Sequence, residues 1–431
     1  MSPTEAVVTA IPGPRSRALA ERLARCEAPG VTYLGTDYPV FWERAEGAVV
    51  IDVDGNCYLD LTSAFGVAAL GHTDPHVVHA VARQAERLIH GMGDVHPTEV
   101  RTQLLERLAD LAPGALRKTY LATSGAEAVE FALKTALLAT RKPRVVAYRG
   151  AYHGLSLGAL EIAGIDKFRA PFGPLVAERA TFLPFPGADV PLDAALHALR
   201  TALDRDTDAG AVVLEPIQGR GGVIVPPAGF LAGVRTVCDE RALLLILDEI
   251  YTGFGRTGTM FACQHERVVP DLLCVGKAIA GGVPLAATIG TAHAMDAWPR
   301  SAGEALHTST FLGNPIACAA ALATLDRIVA LDLPARVAAR GPGLGARLQR
   351  LRALPDVNDV RGVGFLWAIE LRDAARARDV VVRGLAEGVV LLQSGPAGTS
   401  ITIAPPLTID DAQLARGLTL LERAIERSAQ P

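Results

Sequence analysis

Asp248 and Glu249 close a short apolar run, Leu243–Leu247, and Lys277 stands just beyond a second one, Leu272–Val275. Runs of this length and character read as buried strands. Between them lies a glycine-punctuated loop, Gly253–Gly258, and Gly281 and Gly282 follow the lysine. In open α/β sheets ligands gather at the carboxyl ends of strands, so an acid at one tip and a lysine at another suggest a shared site. The chemistry that uses such a pair is that of pyridoxal phosphate. A lysine amine can form a Schiff base with the cofactor's aldehyde, and the cofactor then acts as an electron sink. The sink works best with its pyridine nitrogen protonated, which a neighbouring carboxylate favours. Asp248 is the candidate for that carboxylate and Lys277 for the Schiff base. Alone, the acid would pass for a helix cap and the lysine for a surface residue; at this spacing and in this apolar setting they point to a site.

Other stretches must position the pair. Leu121–Thr140 reads as a strand end, a small-residue turn and a strong helix. Ser124 and Glu127 have capping-box spacing, and Gly125 and Ala126 leave backbone N–H groups open to a phosphate. Val212–Gly222, VVLEPIQGRGG, is another strand ending in polar residues, Glu215 among them. Val49–Leu61 reads as two strands around an Asp54-Gly55-Asn56 turn. Its acids mimic a calcium loop, but Cys57 occupies the required glycine position and Ser63 the final acid position, so a hairpin is expected. Asp74 and Pro75 look like a cap and a first-turn proline opening a helix to about Ile89. Val77, Val78, Val81, Ala85, Leu88 and Ile89 form its apolar stripe. His76, His79 and Arg83 fall off the stripe, so the five histidines between His72 and His96 are not expected to hold a metal. The letters GFGRTG fit a dinucleotide fingerprint, but the glycines do not directly follow the strand and no helix pattern opens on them.

The rest of the chain supplies scaffold. Residues 1–14 are punctuated by Pro and Gly and are expected to be poorly ordered, and Arg15–Glu27 has a helical pattern. A helix is expected from about Ile316. Beyond Leu351, strand patterns (GVGFLWAIEL, GVVLLQS, SITIAPPL) alternate with helical ones, and a final helix starts near Asp410. At 431 residues the length suggests two to three domains. Half of the residues are hydrophobic and a fifth charged, and the formal net charge of −4 gives no reason to propose nucleic acid or membrane as a partner. Six scattered cysteines without a Cys-x-x-Cys pair read as reduced core thiols, which suits the cytoplasm. MSPTEAVVTAIPGPRSR has no continuous apolar run, so a signal peptide is not expected.

DEIYTGFGRTG followed by GKAIAGGVPLAA closely resembles the class-III (omega) aminotransferases, which are fold-type-I pyridoxal-phosphate enzymes, and the resemblance extends over most of the chain. It implies an α/β fold with a large, mostly parallel-sheet domain at 71–325. The smaller α+β domain would be built from residues 1–70 and 326–431. It further implies that the Ser124-Gly125-Ala126 turn holds the cofactor phosphate. Tyr152, in RGAYHG, would stack on the pyridine ring, with Ile250 on the opposite face. Tyr251 stands where most relatives have a Gln that donates to the cofactor's phenolic oxygen. Phe65, in Ser63–Gly66, would line the substrate pocket. Thr310, in TSTFLGNP, would reach the phosphate of the neighbouring subunit, which implies a homodimer with shared active sites.

Two departures from the family pattern concern the substrate. Arg220 replaces the Glu of the usual Gln-Gly-Glu-Gly, and Thr402, in ITIAPPL, stands where many relatives have the arginine that pairs with that Glu. Both halves of the family's carboxylate gate are therefore replaced. Arg220 is expected to face the pocket and bind an anionic group of one substrate, since a guanidinium suits a carboxylate through its two-pronged geometry. Glu215 and Phe65 are the other candidate substrate-binding residues. The resemblance implies pyridoxal-phosphate-dependent transfer of an amino group from an amine donor to a keto-acid acceptor. A racemase or epimerase on the same scaffold, or a non-catalytic binding protein, are the alternatives.

Overall fold

The computed structural model describes residues 7–31 and 39–428. At its centre is a seven-stranded sheet in the order Leu116–Ala122, Ala286–Thr291, Leu272–Val275, Leu244–Asp248, Ala209–Leu214, Arg144–Tyr148, Ala180–Leu183. Ala286–Thr291 runs antiparallel to both of its neighbours, and the remaining pairs are parallel. The continuous apolar runs follow from this position. Every residue of Ala209–Leu214, Leu244–Asp248 and Leu272–Val275 is buried, because helices cover both faces of a parallel sheet. Parallel direction also brings the chemically active ends of these strands to one edge.

Two smaller sheets flank the centre. Trp42–Glu46, Val49–Asp52 and Cys57–Asp60 form an antiparallel meander, joined in parallel by Val389–Val390 from the far end of the chain. Val357–Val363, Leu366–Leu371, Ser400–Ile403 and Leu392–Ser394 form an antiparallel sheet. GVGFLWAIEL is thus not one strand. Gly364, at φ +57°, turns the chain between Val357–Val363 and Leu366–Leu371. The hairpin expected at Val49–Leu61 is present, and its acids hold backbone. Asp52 accepts from Asp54 N, Asn56 N and the Tyr58 hydroxyl at 2.9, 2.9 and 2.7 Å. Asp54 accepts from Arg15 N and Ser16 N at 2.7 and 2.9 Å.

Several expectations need correction. Of residues 1–14, residues 1–6 lie outside the described residues. The stretch after them is tied down, with Val8 N and Thr9 N each 2.9 Å from Asn56 Oδ1. Its helix starts at Pro14 and ends at Leu23, short of Glu27. Asp74 caps the next helix as expected, through His76 N at 2.9 Å, but that helix stops at Arg87 because Leu88 is extended. Its stripe is only partly covered. The helix packs on Pro315–Ala330 through the side that buries Val77, which leaves Val78, Leu88 and Ile89 exposed. His76, His79 and Arg83 are exposed, as their places off the stripe imply. Four of the cysteines are buried, but Cys26 is exposed and Cys57 half-buried; all six are free.

The loop Gly253–Gly258 is a buried support. Arg256, 2 % exposed, donates from Nη1 to the carbonyls of Pro405 and Phe365 at 2.5 and 3.3 Å, which ties the loop to the C-terminal sheet. Burial lowers its pKa to about 10. Glu249 anchors the loop's return: its carboxylate accepts from Ala262 N, Cys263 N and the Thr252 hydroxyl at 2.6, 2.8 and 2.9 Å. Burial pushes this carboxyl's pKa up against the pull of those donors. Replacing Glu249 with Ala strands the two amides without acceptors, and we expect a loss of about 3 kcal/mol in urea unfolding. A loss below about 0.5 kcal/mol, the range of ordinary surface substitutions, would show that the loop finds other partners.

Candidate active site

The carboxyl-edge turns of the central sheet surround a cavity of about 740 Å³. Its wall includes Ser124, Gly125, Ala126, Tyr152, Glu215, Asp248, Ile250, Tyr251 and Lys277, as well as Phe65, Arg220 and Thr402. The residues that the sequence assigned to this site therefore meet. Thr310, expected to serve the neighbouring subunit's site, is exposed and lies outside this wall.

The deepest part of the site is a group of buried charges. Asp248 Oδ2 lies 2.7 Å from His153 Nδ1, with both side chains almost fully buried, and Asp248 Oδ1 accepts from Ile250 N at 3.0 Å. Burial by itself lowers the His153 pKa, but the hydrogen bond and charge of Asp248 outweigh it and raise the value above the ordinary one. His153 Nε2 has no partner among the described residues. Glu215 accepts from Tyr152 N and Gly219 N, each at 3.0 Å, and burial pushes its pKa up to about 7. Lys277, half-buried, lines the cavity with the same acids. Burial lowers its pKa, while the charges of Asp248 and Glu215 pull it back up. Its backbone sits at φ +41°, a left-handed conformation uncommon outside glycine and often found at functional positions.

Sequence reading picked out Asp248, Glu215 and Lys277 but missed His153. His153 stands within the quoted RGAYHG, and a histidine wedged between an aromatic and a glycine was the available signal. It fixes the orientation of Asp248. Asp60 was also missed. Buried below the pocket, it accepts from Thr62 N at 2.7 Å and Ala64 N at 3.0 Å, and contacts His72 Nε2 at 2.8 Å. These contacts shape a turn with Ser63, Ala64 and Phe65 all at positive φ, and that turn presents Phe65, 62 % exposed, to the cavity.

The departures have structural counterparts. The Tyr251 ring lies between Gly66 and Gly219, where a Cβ at either position would clash with it, and Lys277 Nζ is 4.5 Å from the ring centroid. Its hydroxyl is buried without a partner among the described residues, and burial pushes its pKa up to about 12. Thr402 is buried, its hydroxyl 2.6 Å from that of Ser394 in the cavity wall. Arg220 does face the cavity, donating from Nη1 to Gln393 O at 2.9 Å.

At the far wall, Ser124 caps the sixteen-residue helix Gly125–Thr140 through Glu127 N at 3.2 Å. The expected capping box is modified. Glu127 reaches past Ser124 to Thr123, accepting from its N at 2.8 Å and its hydroxyl at 2.7 Å. No acceptor among the described residues takes the N–H groups of Gly125 and Ala126. A Cβ on Gly125 would stand 2.7 Å from Ile250 Cδ1, so only glycine lets the turn approach that side chain. Open amides at a helix N-terminus, a buried acid opposite, a lysine of lowered pKa and an unpartnered phenol make a donor and acceptor set that fits a phosphorylated pyridine aldehyde.

Comparison with known proteins agrees with this geometry. The family description "Aminotransferase class-III" matches residues 33–425. A 4-aminobutyrate aminotransferase of Mycobacterium leprae is 41 % identical over 97 % of each chain, and one of Mycobacterium tuberculosis is 40 % identical over 96 % of each. Among solved structures, an (S)-enantioselective omega-transaminase from Thermomicrobium roseum matches with a TM-score of 0.89 at 29 % identity, covering 96 % of this chain and 99 % of that one. An amine transaminase from an uncultivated Pseudomonas species, solved in its PLP-bound form, matches with a TM-score of 0.86 at 30 % identity, covering 93 % of this chain and 98 % of that one.

The raised pKa of Glu215 has a consequence for stability. Its carboxyl holds a proton more tightly folded, at about 7, than at the ordinary value of 4.5. This contribution to stability is complete below the ordinary value and is lost as pH rises through about 7. Thermal unfolding of the cofactor-free protein should therefore show wild type losing ground to Glu215→Gln as pH rises from about 5 to about 8. A difference in Tm that stays constant over that range would contradict the assignment.

Proposed function

The chain belongs to the class-III aminotransferases, and from that premise we propose that it moves an amino group from an amine donor to a keto-acid acceptor with pyridoxal phosphate seated in the cavity at the strand ends. The observation that carries this reading is that Lys277 lines one cavity with the buried Asp248–His153 pair. The relatives lend the racemase alternative no support.

Pyridoxal phosphate supplies an aldehyde that engages the amine and a ring that takes up electrons released at the substrate carbon. The Gly125 and Ala126 amides, with Ser124, would hold its phosphate, and Tyr152 and Ile250 would take the two faces of its ring. Asp248, oriented by His153, would face the pyridine nitrogen, and Tyr251 would offer its unpartnered hydroxyl to the phenolic oxygen. Lys277 would hold the aldehyde through its amine. Its lowered pKa favours a neutral amine, which can accept a proton from the substrate carbon and return it to a neighbouring one. Phe65, Glu215 and Arg220 would form the substrate end. The Mycobacterium leprae and Mycobacterium tuberculosis relatives are named for 4-aminobutyrate, which makes that compound the first donor to test.

A homodimer with shared sites completes the proposal. Segments 88–96 and 306–314 pack together, with the His90 and Phe311 rings 5.3 Å apart and the Thr308 hydroxyl 2.8 Å from Asp94 Oδ2. They expose Leu88, Ile89, Met92, Val95, Leu306 and Phe311 around Thr310. An apolar patch of this kind suits a second copy of the chain, to whose cofactor phosphate Thr310 would reach. The domain division at residues 70 and 325 is supported by the sheet that joins Cys57–Asp60 to Val389–Val390. Free cysteines, four of them buried, suit the cytoplasm. No helix among the described residues is long and apolar enough to cross a membrane.

The test is the half-reaction with 4-aminobutyrate. Wild type should convert its bound cofactor to the amine form without acceptor present, and Lys277→Ala should lose at least about four orders of magnitude in that rate. Lys277→Ala at wild-type rate would overturn the assignment. Sedimentation equilibrium should return twice the chain mass, and a monomer at active concentrations would overturn the shared site.

A further inference from the structure

Thr310 stands in a stretch with neither helix nor strand, residues 306–314. Two successive backbone bonds shape it into turns, Leu312 N to Ser309 O at 3.0 Å and Asn314 N to Phe311 O at 3.1 Å. Such bonds shape a turn without aiming it. A side chain offered across a subunit boundary has to be aimed, because a hydrogen bond is lost once its partners stand more than about 3.5 Å apart.

Side-chain ties on either side of Thr310 supply that aim. Before it, the Thr308 hydroxyl donates to Asp94 Oδ2 at 2.8 Å. After it, Asn314 uses both ends of its amide. Oδ1 accepts from Ile316 N and Ala317 N at 3.0 and 3.2 Å and so caps the helix Pro315–Ala330. Those two donors identify this atom as the oxygen, which leaves Nδ2 to donate to Ile89 O at 3.1 Å. Both ties end on segment 88–96. Arg101 steadies that segment by donating from Nη1 to Gly93 O, and Gly93 passes so close to Leu312 O that a Cβ there would collide with it. The helix that Asn314 caps is itself held in the core, with Pro315, Ala317, Cys318, Ala320 and Ala321 buried. Its Thr324 lies against the turn that follows Lys277, where a Cβ on Gly281 would stand 2.9 Å from Thr324 Oγ1. Asn314 therefore joins the helix behind the subunit's own lysine to the surface offered to a second copy.

We propose that Asn314 and Asp94 are positioning residues that aim Thr310 at the cofactor phosphate of a second copy, Asn314 through its Nδ2 bond to Ile89 O as distinct from its helix cap. Neither belongs to the cavity wall of its own subunit, and each acts through the turn between them. The inference rests on the shared site proposed above.

The test separates the two ends of the Asn314 amide. Asn314→Asp keeps an oxygen for the cap, which Asp fills as well as Asn, and loses the donor to Ile89 O. Pyridoxal phosphate is titrated into the cofactor-free protein and its binding followed by visible absorbance. Asn314→Asp should bind it about fivefold more weakly than wild type, the loss of one hydrogen bond. Its Tm without cofactor should stay within about 2 °C of wild type, whereas Asn314→Ala, which loses the cap as well, should fall further. Asp94→Ala should weaken binding by about threefold, since that tie is exposed, and Asp94→Asn, which still offers Thr308 an oxygen, should restore it. Thr310→Ala should weaken binding at least as much as Asn314→Asp, and combining the two should add no further loss. A loss in Thr310→Ala without one in Asn314→Asp, or an Asn314→Asp Tm as low as that of Asn314→Ala, would overturn the positioning role and leave the shared site standing. Wild-type affinity in Thr310→Ala would overturn the shared site itself.

Discussion

The site depends on one constraint, the burial of several charges at the edge of a parallel sheet. An isolated ion costs several kcal/mol to remove from water, so charges survive at such depth only in mutual compensation. Asp248 and His153 compensate each other at 2.7 Å, Glu215 leans on the amides of Tyr152 and Gly219, and Lys277 answers the acids. Because the strands bearing these residues are parallel, their ends converge without any long loop reaching across. At Lys277 desolvation outweighs the pull of those acids, and the lowered pKa favours the neutral amine.

Around that centre, further buried polar groups act as braces. Glu249 ties down the chain that leaves Asp248, Arg256 ties the following loop to the C-terminal sheet, and Asp60 shapes the turn that carries Phe65. Each satisfies backbone amides or carbonyls that irregular, buried chain would otherwise leave unpaired. The braces explain how a long non-helical stretch can be buried beside Lys277. Gly66 and Gly219 make room for Tyr251 by clearing both sides of its ring.

Much of this was legible in the sequence. Leu243–Leu247 and Leu272–Val275 are apolar because both sheet faces are covered, so their polar successors, Asp248 and Lys277, stood out as edge residues. Ser124 and Asp74 could be read as caps because capping needs few residue types at fixed spacing. What local pattern does not encode is partnership across the chain. His153 and Asp248 are 95 residues apart, and nothing in either neighbourhood announces the other. The same applies to Arg256 with Pro405. Periodicity also overstated burial: the stripe from Val77 to Ile89 is regular, yet half of it faces outward, which periodicity alone cannot distinguish from a second, intermolecular contact.

The central claim is that Lys277 is the residue that holds the cofactor. Its most direct measurement is a mass spectrum of the purified holoprotein after borohydride reduction and digestion. The account predicts a phosphopyridoxyl group on the peptide that contains Lys277, and on that lysine within it. The same group on a different lysine, or none on a protein that transaminates, would contradict it.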